Sequence, residues 1–127
     1  MQEQHLFEYA IIRVVPKVER EEFMNVGVIL FCKQQRFLKA SVFIDKNKIL
    51  ALSAGLDIEE LEKNLSAFVA ICDGSNTGST ISDLDLPSRF RWLTATRSTV
   101  IQCSKVHPGF CINLDEELLK IFRQMVL

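Results

Sequence analysis

The chain has 127 residues, 48% of them hydrophobic and 24% charged, which are the proportions of one globular domain with a real core and exclude a chain held open by its charge. Fifteen Lys and Arg against sixteen Asp and Glu leave a formal charge of -1, so no global field draws the molecule onto nucleic acid or an anionic membrane. The leading MQEQHLFEYAIIRVV lacks a basic leader and interrupts its apolar run with Glu8 and Arg13, so neither a signal peptide nor a membrane span is expected and a cytoplasmic location is.

In chain order, LFEYAIIRVV (Leu6 to Val15) is rich in β-branched and aromatic residues and ends at Pro16, which predicts a strand buried on most of both faces. MNVGVILFC and RFLKASVFI read likewise, and the short polar KQQ between them suits a hairpin, giving a three-stranded meander. Asp57 with Glu60 three residues on has the form of a capping box. Ile58, Leu61, Leu65, Phe68 and Val69 then fall on one helical face. From about residue 73 to 88 Gly, Ser, Thr, Asn and Asp dominate and no periodicity survives, which predicts a long flexible loop. RFRWLTATRSTVIQCSKV alternates Arg89, Phe90, Arg91 and Trp92 before a β-branched run, and a further strand is expected there. Leu118, Ile121, Phe122 and Met125 mark the inner face of a C-terminal helix capped by Asn113 or Asp115. The sum is a single domain over residues 1–127, of α+β class, with an antiparallel sheet covered by helices on one face.

Cys32, Cys72, Cys103 and Cys111 are widely spread, form no CxxC pair and are expected to be reduced. The nearest metal pattern is Cys103-x3-His107-x3-Cys111, which lacks the tight Cys pairs of one-loop zinc sites. Small buried thiols and a turn histidine are the expected reading. No cofactor motif is present, and none is expected.

The segment PKVEREEFMNVG asks whether it is a site or a corner. Pro16 ends the first strand, the charged run from Lys17 to Glu22 connects, and Gly27 inside the next strand calls for a bulge or a closely approaching backbone. Asn25 can bond the connection's backbone, so Arg20, Glu22, Asn25 and Gly27 are expected to form a structural polar network. The alternative is that Arg13, Arg20, Glu22 and Asn25 meet at the end of the sheet in a polar pocket.

These residues also carry a resemblance. FEYAIIRVVPKVEREEFMNVGVILFC resembles the opening signature of the bacterial family DUF3037, at Arg13, Pro16, Arg20, Glu22, Phe23, Asn25, Gly27 and Val28. RFRWLTATRSTVIQCSKVHPGF is similar to that family's second signature, at Arg91, Trp92, Leu93, Arg97, Ser98, His107 and Gly109. The family is a domain of unknown function. The resemblance implies a protein partner, a nearby-encoded kinase similar to bacterial toxin kinases, and establishes no activity.

On its own chemistry, the second signature gathers Arg89, Arg91 and Arg97 with Ser98, Lys105 and His107, interleaved with Phe90 and Trp92. Guanidinium groups bind phosphate or carboxylate bidentately and a hydroxyl adds a donor, so Arg13, Arg91, Arg97, Ser98 and His107 are the anion-binding candidates. The competing reading puts Phe90 and Trp92 in the core and leaves the arginines to solvent or to the acidic helix from Asp57 to Glu62. For catalysis, His5 falls in a terminus expected to fray, and His107, in a predicted turn before Pro108 and Gly109, is the general acid-base candidate. GxxxxGK[ST], HExxH and GxSxG are absent. Two functions follow: a non-enzymatic accessory domain that binds a protein, or a phosphate-recognising nucleic-acid binder or phosphoester enzyme. Convergence of the candidates in an open cleft would favour the second.

Overall fold

The computed structural model describes residues 3–74, 80–97 and 99–127. Strands β1 (His5–Val14), β2 (Met24–Cys32) and β3 (Phe37–Val42) form the expected antiparallel meander. β1 is central, because two later strands share its other side. β4 (Ile101–Cys103) pairs with its C-terminal end, from Ile12↔Cys103 to Val14↔Ile101. β5 (His107–Cys111) pairs with its N-terminal half, from His5↔Cys111 to Tyr9↔His107. The class is α+β and the five-stranded sheet is antiparallel throughout.

Because β1 and β2 are apolar at consecutive positions, both of their faces need covering. Ala10, Ile12 and Val14 with Ile29 and Phe31 meet α1 (Lys46–Leu52), α2 (Ile58–Asp73) and α3 (Leu86–Thr94) through Ile49, Leu61, Leu65, Phe68, Phe90 and Leu93. On the opposite face Phe7, Ile11, Val28 and Leu30 meet α4 (Leu114–Met125) through Leu114, Leu118 and Ile121. Helices therefore cover the second face of the sheet as well as the first. Each helix starts at a side-chain cap: Asp45, Asp57, Asp85 and Asn113 accept from the backbone N–H three residues on. Met125, expected on the inner face of α4, is exposed.

Gly27 sits at an irregularity of the β1–β2 ladder, where Ile12 pairs with Gly27 but Arg13 with Asn25, so Val26 is the extra residue of a bulge. A Cβ at Gly27 would lie 2.6 Å from the Ser41 carbonyl oxygen and 2.8 Å from Val42 Cγ1. Close approach of β3 is the cause that a glycine in mid-strand requires.

Four expectations are corrected. The segment Arg89 to Thr94 is helical, part of α3, because Asp85 caps it and Pro87 stands in its first turn, both strong starting signals. The predicted loop of 73–88 is shorter than expected: α2 runs to Asp73, a 3-10 turn spans Thr80–Asp83 and α3 begins at Leu86, while residues 75–79 lie outside the described residues. His107 lies in strand β5, not in a turn. His5 is paired in β1 rather than frayed, with its Nδ1 buried.

Candidate functional site

A cleft of about 550 Å³ opens between α2, α3 and the segment leading into β4. Asn64, Ala67, Phe68 and Ile71 come from α2, at i, i+3, i+4 and i+7 so that they share one face, and Trp92 and Leu93 come from α3. Ile101 and Cys103 close its floor. The walls are mostly apolar, and Trp92 and Val100 at the rim are each 38% exposed. Arg97 sits over Trp92, its guanidinium carbon 4.0 Å from the ring centroid, and donates from Nη2 to the Trp92 carbonyl oxygen. It has no carboxylate within ion-pair distance among the described residues. Its cation is therefore held by an aromatic ring rather than by a carboxylate of the described residues, a combination typical of interface residues.

A smaller pocket, of about 350 Å³, flanks β4 on the other side, between Arg13, Val18, Glu21, Phe23 and Gln102. Residues opposite each other in an antiparallel pair share a face, so Arg13 and Gln102 project from one side of the sheet while Ile12 and Cys103 project from the other. Arg13 stacks on Phe23 at 4.1 Å, and its buried Nε has no hydrogen-bond partner. Gln102 and Cys103 line both hollows, which makes β4 the ridge between them.

The remaining candidates are dispersed. Arg91 forms a bidentate pair with Glu8 at 2.9 and 3.0 Å, which further raises its already high pKa, first through those hydrogen bonds. Its partner is thus on β1 and not on the acidic start of α2. Arg89 donates to the Leu84 carbonyl oxygen at 3.1 Å. His107 is exposed and its ring lies 5.5 Å from that of Tyr9. Tyr9 alternates with Glu8, so His107 and Arg91 stand on opposite faces of the sheet. Ser98 lies outside the described residues.

Of the four residues of the expected polar network, Arg20 and Glu22 meet, while Asn25 and Gly27 stand apart from them. Arg20 pairs with Glu22 on the surface, Asn25 donates from Nδ2 to the Met125 carbonyl oxygen at 2.9 Å, and Gly27 serves the bulge. Arg20 and Glu22 border one hollow, Asn25 a second and Arg13 a third, so they do not form one pocket. Cys103 and His107 are on different strands. His107 and Cys111 sit at the two ends of β5, about 13 Å apart at strand rise, too far to share an ion. No group of three or more metal-ligating side chains occurs among the described residues. Burial pushes the Cys103 thiol up to about 11 despite nearby Arg97 and Arg13, and the Cys72 thiol to about 12, so neither is an activated nucleophile near neutral pH.

The fold and site define an α+β domain with an apolar cleft and a dispersed set of polar candidates. No helix among the described residues is long and apolar enough to cross a membrane. The chain belongs to the family DUF3037, described as a protein of unknown function, whose model matches residues 9–126. No curated protein and no solved structure matches the chain. The sequence reading missed the cleft's residues on α2, because Asn64, Ala67 and Ile71 carry no chemistry of their own. The cap at Asp85 was the signal that would have placed Trp92 on a helix.

Proposed function

We propose that this chain is a non-enzymatic accessory domain that binds a protein partner through the cleft between α2, α3 and β4. The observation that carries the reading is the rim of that cleft, where a half-exposed Trp92 is covered by Arg97, which has no ion pair among the described residues, above apolar walls. Trp and Arg over an apolar hollow are the residue types enriched at binding hot spots. The dispersal of Arg91, His107 and Arg13 to separate partners supports a binding role over a catalytic one. The family resemblance points to a kinase similar to bacterial toxin kinases as the partner to try first.

Phosphate recognition is the second reading, favoured by one observation: Arg13 and Arg97 have no carboxylate partner among the described residues. A tagged pull-down from the native host, at low and high salt, separates the two. The protein-binding reading expects a stoichiometric protein that survives high salt and is lost with Trp92→Ala and with Arg97→Ala. Nucleic acid held at low salt, released at high salt and lost with Arg97→Ala would replace it by phosphate recognition, since phosphate contacts yield to competing counterions.

A further inference from the structure

We infer that edge strand β4 accepts an extended segment of the partner as an added strand, and that this segment alternates apolar with acidic side chains. The inference rests on the protein-binding reading and specifies the chemistry of what binds.

β4 pairs with β1 on one side, and no strand among the described residues takes its other side. The phase of the ladder is set by its ends. Val15 N–H donates to the Val100 carbonyl at 2.6 Å and Ser104 N–H donates to the Ile11 carbonyl at 2.8 Å. Alternation then directs the backbone groups of Gln102 toward β1 and those of Ile101 and Cys103 outward. Thr99 Oγ1 donates to the Ile101 carbonyl at 2.7 Å, which leaves the Ile101 N–H and both Cys103 groups for an incoming strand.

The other exposed edges carry the residues that block such pairing: β3 has Lys39, ion-paired to Asp115, and β5 has Pro108. β4, Ile-Gln-Cys, carries neither. Its three residues offer little backbone pairing, so affinity must come from the hollows on either side.

Those hollows dictate the pattern. Successive side chains of a strand point to opposite faces, so a segment beside β4 places alternate residues in the apolar cleft and beside Arg13. Arg13 is prepared for an acceptor: its guanidinium is fixed over Phe23, its Nε is buried without a partner, and it has no carboxylate within ion-pair distance among the described residues. Glu21 lines the same pocket and opposes a phosphate dianion more than a single carboxylate, because Coulomb energy scales with charge. A Glu or Asp side chain fits that balance.

The probe is a labelled, acetylated seven-residue peptide alternating Glu and Leu, titrated against the full chain by fluorescence anisotropy. Comparison peptides alternate Lys and Leu, or group the same Glu and Leu residues in two blocks. The alternating Glu peptide is expected to bind at least about tenfold more tightly than either comparison, and Arg13→Gln to weaken it about tenfold, the scale of one charge-assisted contact. Glu21→Gln is expected to tighten it, and the amides of Ile101 and Cys103 to gain protection from hydrogen exchange. Urea midpoints of both variants verify that the fold is intact.

Equal binding of alternating and blocked peptides, indifference to Arg13→Gln, or no binding at about 1 mM peptide would overturn the inference. A captured partner that tolerates Arg13→Gln yet is lost with Trp92→Ala would also overturn it while leaving the protein-binding reading standing. An oligonucleotide that binds where the peptides do not would overturn both.

Discussion

Gly27→Ala tests the account of the corner between β1 and β2. The new methyl would sit 2.6 Å from the Ser41 carbonyl oxygen, 2.8 Å from Val42 Cγ1 and 3.1 Å from Ile12 Cδ1. Val42 and Ile12 can adjust their rotamers, but the Ser41 carbonyl belongs to the backbone of β3, whose register with β2 is held from Gly27↔Val42 to Cys32↔Phe37. Relief therefore requires β3 to move away from β2. Overpacking costs about 1–3 kcal/mol, and contact with backbone puts this site near the upper figure, about 3 kcal/mol. With a urea slope of about 1.5 kcal/mol per molar, the unfolding midpoint should fall by about 2 M. Gly55→Ala is the matched control: a Cβ there meets nothing within 4 Å, so its midpoint should hold or rise slightly. Equal midpoints for Gly27→Ala and the unmodified chain would refute the argument that space, rather than chance, selects glycine at the bulge.

Phe90 is fully buried and stacked on Phe31 at 5.0 Å between centroids, so Phe90→Ala should cost about 3–5 kcal/mol by urea denaturation. Trp92→Ala, two residues on and half-exposed, should cost far less, and its main effect should appear in partner capture. The buried thiols predict an alkaline limit. Cys72 and Cys103 are raised from 9.0 to about 12 and about 11, so the folded state favours the protonated form and that stabilisation is complete below pH 9. It is lost as pH rises through 9 toward 11 and 12; urea midpoints should fall across that window, less so in a Cys72→Ala, Cys103→Ala double variant. Native-state alkylation of the two thiols should stay slow until the same window, and rapid alkylation at pH 7.5 would contradict their burial.

Where an element has a local cause, the residues revealed it. The β-branched runs of β1 and β2, the polar connection after Cys32, the Asp57 cap with Leu61, Leu65 and Phe68 behind it, and the Asn113 cap of α4 were all legible. Failure came where a short pattern served two periods. Arg89 to Trp92 alternates over four residues, as a strand would, but Phe90 and Leu93 are three apart and both buried, which is the period of α3. α1 went unread because seven residues with one buried side chain, Ile49, scarcely display a period. The site was less legible than the fold. Arg13, Arg91, Arg97 and His107 stand out by type, and type does not say which element carries a side chain or which way it faces.

The sequence by itself determined the class of the domain, its meander, its two longest helices and its family signatures, because strand composition, capping and helical periodicity act over a few residues. Tertiary structure alone decided that β4 and β5 share the side of β1 away from β2. It also decided that Arg91 meets Glu8, 83 residues away, and that a cleft opens beside Trp92. Those outcomes depend on which surfaces remain once the apolar faces of β1 and β2 are covered, a property of the whole packed chain that no local window contains.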